Sequence, residues 1–156
     1  MDNAAADGGQ LVLKSSGYSD WNVDNYSGTL RAYYNATEYL KVTNAGLLQF
    51  NSGYGSVATA YGCRAWVNFN GSGTVAIRAS ANVTSITDNG NGDYTVNFTN
   101  AMPDANYCVT NYSGSTSSNW FLGRVVSYSA SAYRFLTVDS GGTLTDTVYA
   151  NISIIR

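Results

Sequence analysis

The sequence predicts an all-β protein, and three observations support this fold class. Apolar and polar side chains alternate between Arg64 and Asn70, which places Ala65, Val67 and Phe69 on one side of a strand. The same period of two recurs along the chain, and no segment has a convincing helical period. Gly and Asn separate these runs, as is typical of turns between antiparallel strands.

The 156 residues divide into four predicted segments. Residues 1–10 are interpreted as a disordered leader, and residues 11–50 as a short intertwined β shaft. A small, turn-rich hinge follows at 51–62, and residues 63–156 are predicted to form an antiparallel β-sandwich, jelly-roll-like head. The shaft contains five strand-like pieces, with the sequences LVLKS, WNVDN, TLRAYYN, EYLKVTN and LLQFN.

The head contains eight predicted strands of regular spacing. Regular short strands separated by turn residues are typical of sandwiches. Pro103 is interpreted as a bend between two of them, since proline cannot donate a hydrogen bond to a ladder. The predicted strands are 64–70, 74–80, 83–87, 93–99, 106–112, 119–128, 132–138 and 146–155.

The shaft carries more apolar side chains than some forty residues can bury alone, so copies of the chain are expected to associate. Trp66 lies on the polar side of its predicted strand, and a large exposed aromatic side chain there favours a second contact between subunits. The predicted subunit-interface residues are Trp21, Leu30, Tyr33, Leu40, Phe50 and Trp66.

Composition argues against several classes of function. The charged fraction is 12%, the net charge is −2, and the eight basic residues are scattered, so no nucleic-acid partner is expected. The absence of histidine removes Ser-His-Asp and Cys-His catalysis and most zinc sites. No phosphate-binding or dinucleotide motif is present, and we expect neither an enzyme nor a cofactor.

The acidic side chains lie mostly in predicted turns, where they would cap backbone N–H groups. Paired carboxylates for glycoside hydrolysis and a calcium site remain alternatives, and the calcium ligands would be Asp88, Asn89, Asn91 and Asp93. No metal site is predicted from this set.

Two cysteines, Cys63 and Cys108, leave two interpretations open. Cys108 lies inside a predicted strand, where a small buried thiol is expected. One disulfide between the two cysteines is the alternative.

Two polar stretches bounded by aromatic residues, 111–120 and 127–134, are the candidate ligand-binding loops. Sugars place their apolar faces on aromatic rings, while amides, hydroxyls and guanidinium groups bind the sugar hydroxyls. Core or interface packing of these aromatic rings is the alternative. The predicted glycan-binding residues are Asn111, Tyr112, Asn119, Trp120, Tyr128, Tyr133 and Arg134.

Several segments resemble the distal region of bacteriophage tail-fibre proteins. AWVNFNG, GTVAIRAS and SITDNGNGDYTVNFTNAMPDANY resemble sequence near the fibre C-terminus, over roughly a third of the chain. The block before them resembles a fibre-shaft pattern, WN-x-D-N-x-x-G-x-L-R followed by L-x-V-x-x-x-G. That pattern is carried by Trp21, Asn22, Asp24, Asn25, Gly28, Leu30, Arg31, Leu40, Val42 and Gly46.

The resemblance implies a homotrimer in the virion that attaches to a bacterial surface polysaccharide or lipopolysaccharide. The N-terminus has neither the basic nor the apolar region of a signal peptide, and no apolar run could span a bilayer. We therefore expect synthesis in the host cytoplasm and no membrane insertion. The alternatives are a purely structural virion or trimerisation segment, a polysaccharide depolymerase, and a cellular lectin-like module.

Overall fold

The computed structural model describes residues 7–53, 55–115 and 120–156. This part of the chain contains fourteen β-strands and no helix, which confirms the all-β prediction. The strands form two compact units, Met1–Ala60 and Tyr61–Arg156.

The first unit is a six-stranded antiparallel sheet in which each strand pairs with the next one along the chain. Ser27 and Gly28, and then Asn35 and Ala36, have positive φ in two-residue turns, the geometry that tight hairpins require. Its strands are β1 (Asp7–Leu13), β2 (Trp21–Tyr26), β3 (Thr29–Tyr34), β4 (Thr37–Val42), β5 (Leu48–Phe50) and β6 (Ala58–Thr59).

Two predicted boundaries differ from the structure of this unit. β1 begins at Asp7, so residues 7–10 belong to the first strand and not to the predicted leader, 1–10. β6 lies within the predicted hinge, 51–62, and the boundary between the two units also falls there. Backbone pairing with β2 and β5 accounts for both differences, because it extends the sheet beyond the alternating segments.

The second unit contains all eight strands predicted for the head, with ends that differ by a few residues. Their order in space is β8-β7-β14-β11-β12-β13-β10-β9. The strands are β7 (Cys63–Asn70), β8 (Ala76–Ala81), β9 (Val83–Gly90), β10 (Asp93–Phe98), β11 (Cys108–Gly114), β12 (Trp120–Tyr128), β13 (Ala132–Val138) and β14 (Tyr149–Ile155).

The eight strands bend into a sandwich-like arrangement with one apolar core. β12 pairs with β11 only near its start, and pairs with β13 along most of its length. Phe69 of β7 therefore faces Tyr94 of β10 and Phe135 of β13, with ring centroids 5.3 and 6.3 Å away. All three rings are fully buried, and burying a side chain of this size stabilises the fold by roughly 1.5–3 kcal/mol.

Tyr94 also takes part in a hydrogen-bond network that joins three loops at one end of the sandwich. Its hydroxyl lies 2.9 Å from the Gly71 carbonyl oxygen and 2.8 Å from Asp146 Oδ1, so its one proton is shared between two acceptors. Asp146 Oδ1 also accepts a hydrogen bond from the Gly92 N–H. Residue 71 must be glycine, because a Cβ there would lie 2.5 Å from the Tyr94 hydroxyl.

Tyr107 is also buried in this core, and we expect its buried hydroxyl to make the stability of this unit depend on alkaline pH. Burial raises the pKa of Tyr107 to about 12 from its ordinary value of 10.0. The unfolded chain loses this proton near pH 10 and the folded chain only near 12. The free energy of unfolding should therefore decrease between these two values, by at most about 1.4 kcal/mol per pH unit for this group.

Chemical denaturation between pH 9 and 12 checks this expectation with two variants. The free energy of unfolding of Tyr107→Phe should depend less steeply on pH than that of the wild type. Tyr112→Phe, which changes an exposed tyrosine, should show the same pH dependence as the wild type. Identical slopes for Tyr107→Phe and the wild type would contradict it.

Candidate functional site

The six-stranded sheet has one face that is almost entirely apolar. The strand register aligns Leu11, Val23, Ala32, Leu40 and Phe50 in one row across five strands. Further apolar side chains flank this row: Leu13, Trp21, Tyr34 and Tyr39 towards one end of the strands, and Leu30, Val42 and Leu48 towards the other. The larger aliphatic and aromatic members, Leu11, Leu13, Trp21, Leu30, Tyr39, Leu40, Leu48 and Phe50, are 40–58% exposed. We call this surface the apolar face.

The opposite face of the same sheet is polar and held together by ion pairs. Arg31 binds the Asp24 carboxylate through two nitrogens, at 2.9 and 2.5 Å, and Asp24 is only 6% exposed. Glu38 lies 3.8 Å from Arg31 and 3.2 Å from Lys41. The Arg31 guanidinium also stacks on the Tyr26 ring, 4.2 Å from its centroid. The charged side chains of this polar face thus have partners within the chain.

The sheet separates the predicted subunit-interface residues. Trp21, Leu30, Leu40 and Phe50 lie together on the apolar face. Tyr33 lies on the polar face, near Arg31, because its position in β3 alternates with that of Ala32. Tyr33 therefore lies outside the apolar face, and its part in a subunit interface stays a prediction.

The outer face of β8, β7, β14 and β11 in the second unit is a second candidate surface. One row across it contains Ala79, Asn68, Asn151 and Tyr112, and the next row contains Ala81, Trp66, Ser153 and Thr110. Tyr112 is 71% exposed, and Trp66 is exposed on the same face. Asn68 donates a hydrogen bond to Asn151 between them. We call this surface the tyrosine–asparagine face.

The sequence predicted Tyr112 as a glycan-binding residue and Trp66 as a subunit-interface residue. It did not predict their neighbours Asn68, Asn151 and Tyr149 as site residues. Tyr149 lies on the same outer face, with the Arg78 guanidinium 4.9 Å from its ring centroid. Alternation within the predicted strands could have placed each of these residues outward. Only the register between β7, β14 and β11 brings them together, and no hairpin turn fixes that register because these strands are not consecutive in the chain.

Two of the predicted glycan-binding residues are directed towards the core of the sandwich: Tyr133 is buried there and Asn111 is half-buried. Tyr133 is 2% exposed and stacks on Phe135, so it is a core residue and we remove it from the predicted ligand surface. Burial raises the pKa of Tyr133, which a hydrogen bond with Asn111 partly opposes. The Asn111 amide is directed inward, where a Cβ on residue 123 would collide with it.

The stretch 127–134 is a tight hairpin and not an extended loop. The Ser129 N–H donates to the Ala132 carbonyl oxygen at 2.9 Å, which closes the turn between β12 and β13. Tyr128 is the register partner of Tyr133 and packs against Tyr107, with ring centroids 5.1 Å apart. Tyr128 is still 38% exposed, so its edge remains available to a ligand.

Arg134 is held in an ion pair with Asp93. Its guanidinium contacts both carboxylate oxygens, at 2.9 and 2.6 Å, and holds the pKa of Asp93 below its usual value. Asp88 caps the Gly90 N–H, and Asn91 donates to the Leu144 carbonyl oxygen. The carboxylates and amides of the calcium alternative thus have partners within the chain.

Two predicted site residues remain without structural support. Asn119 lies outside the described residues. Trp120 is the first residue of β12, and the position of its side chain is likewise outside the described part of the structure.

The two cysteines are free and exposed, and the prediction that Cys108 is buried is wrong. Tyr107 points into the core, so the next side chain points outward. Cys63 and Cys108 both pair with Ile155, from opposite sides of β14. Two strand spacings, roughly 10 Å, separate their Cα atoms, which is too far for a disulfide.

Comparison of the chain with protein-family models, with curated proteins and with solved structures finds no match. Among the described residues there is no helix of the length and apolarity needed to cross a membrane.

The ion pair on the polar face should make a large contribution to the stability of the first unit. Replacing Arg31 by alanine leaves the buried Asp24 carboxylate without its guanidinium, and we expect the free energy of unfolding to fall by about 3 kcal/mol. Lys14→Ala breaks an exposed pair with Asp20 and should have a much smaller effect. Denaturation monitored by tryptophan fluorescence gives the free energy of unfolding of both variants. Equal decreases for the two would refute the larger contribution of the buried ion pair.

Proposed function

We propose that the chain is an oligomeric receptor-binding module of a bacteriophage tail fibre, located in the virion, that attaches non-covalently to a bacterial surface polysaccharide or lipopolysaccharide. The observation that carries this proposal is the apolar face, a sheet surface that a lone chain leaves in water. The apolar face supports the claim that copies of the chain assemble. The tyrosine–asparagine face supports the claim that they bind a glycan. The resemblance of residues 64–109 to distal fibre segments supports both parts.

Association between copies of the chain explains why the sheet of the first unit has one apolar and one polar face. Large apolar side chains in one contiguous sheet surface are uncommon on monomers, and mark a contact with another protein surface. The polar face cannot serve equally well, since covering it would remove the charges of Arg31, Glu38 and Lys41 from water. The apolar faces of several copies therefore meet, and the resemblance implies three copies.

The mass in solution tests this assembly. Light scattering on a sizing column should give three times 16.6 kDa for the wild type. Leu40→Lys places a charge within the apolar face and should release monomers. Val12→Lys is the matched control, since Val12 pairs with Asn22 on the polar face and the trimer should persist. A monomeric wild type would refute the assembly.

Recognition of a glycan is supported by the chemistry of the tyrosine–asparagine face. Exposed rings of Tyr112 and Trp66 can stack on the apolar side of a sugar, and the Asn68 and Asn151 amides can bind its hydroxyls. One such contact binds weakly. Three copies acting together would convert weak binding into useful avidity.

Binding of the labelled protein to bacteria and to a broad glycan array tests recognition. Tyr112→Ala should weaken binding about tenfold, the effect of losing roughly 1.4 kcal/mol of stacking. Tyr18→Ala removes an equally exposed tyrosine from the first unit and should leave binding unchanged. Absence of binding to every strain and glycan would refute recognition and favour a structural virion segment.

A further inference from the structure

A polar groove lies at the edge of the sandwich, at the connection between β8 and β9. Its volume is about 610 Å³, within the range of small-molecule sites. The first residues of β7 form one wall and the segment after β10 forms the other. The lining residues are Cys63, Arg64, Asn82, Thr99, Asn100, Ala101 and Met102.

Asn82 fixes the shape of this groove. Its side-chain amide donates to the Arg64 and Asn100 carbonyl oxygens, both at 3.1 Å, and its Oδ1 accepts from the Asn100 N–H at 2.8 Å. Asn82 has a φ of 56°, a conformation that asparagine tolerates better than most residues. The three hydrogen bonds join the two walls, so the groove is preformed and a ligand would not have to order it.

Arg64 is the one charged residue among those that line the groove. Among the described residues, no carboxylate lies within ion-pair distance of the Arg64 guanidinium. Asp104, two residues after the lining residue Met102, forms an ion pair with Arg156 at 2.7 Å. The other lining residues carry no charge, and an amide at Asn100 and a hydroxyl at Thr99, which accepts a hydrogen bond from Thr84, are groups of the kind that can bind sugar hydroxyls.

We propose that this groove binds an acidic sugar residue, with the sugar carboxylate on Arg64. A guanidinium matches a planar carboxylate through two parallel hydrogen bonds, while amides and hydroxyls in the walls suit the neutral hydroxyls of the same ring. The inference rests on the proposed function and specifies its ligand class as a uronic- or sialic-acid-containing polysaccharide.

Calorimetry on the intact protein with oligosaccharides of galacturonate, glucuronate, mannuronate and N-acetylneuraminate tests the proposal. At least one should bind, and its carboxyl-reduced form should bind at least about tenfold more weakly. Arg64→Gln should bind the acidic sugar about tenfold more weakly than the wild type does. Arg64→Lys keeps the charge but cannot form two parallel hydrogen bonds, so its affinity should lie between those of the wild type and Arg64→Gln. Arg124→Gln removes an exposed arginine of β12 outside the groove and is the matched control.

The outcomes separate this proposal from the function on which it rests. If bacteria bind the wild type and Arg64→Gln equally, or if the carboxyl-reduced sugars bind as well as the acidic ones, the acidic-sugar site is refuted while receptor binding stands. Failure of all four acidic sugars to bind refutes the site as well. Failure to bind any cell or any glycan refutes both.

Discussion

The structure depends on one constraint: an antiparallel ladder sends successive side chains to opposite faces, and an apolar face must be covered. In the second unit the chain satisfies this constraint internally, since β12 leaves β11 near its start and continues beside β13. The two layers then close over Phe69, Tyr94 and Phe135. In the first unit the six strands form one sheet, and its apolar face remains exposed.

The polar face of the first unit determines which side of the sheet can be covered. Asp24 is buried only because Arg31 lies against it, and Glu38 and Lys41 continue the charged row. Covering this face would require desolvating several charges, whereas covering the apolar face removes hydrocarbon from water. In the proposed assembly the apolar side contacts other copies, while the ion pairs on the polar side stabilise the sheet.

Recognition, as proposed, uses the side chains that the sandwich does not need for its core. Tyr112 and Arg64 lie on strands whose alternate residues are buried or half-buried, so the core positions them. Residues expected to bind a ligand from loop composition alone, such as Tyr133 and Arg134, are instead engaged within the fold. Loop composition was a poor guide because a tight turn at Ser129–Ala132 needs the same small polar residues as a binding loop.

The sequence by itself determined the all-β class and nearly every strand, because the alternation of apolar and polar residues and the positions of turn residues are local properties. It also predicted Trp21, Leu30, Leu40 and Phe50 as interface residues, and these four lie on one exposed face. Only the tertiary structure decided which side chains share a surface. Register across strands placed Tyr33 on the polar face, separated Cys63 from Cys108, and joined Arg64 to Asn82 at one groove. The reason is physical: such neighbours are distant in sequence, and their pairing is set by packing of the whole sheet.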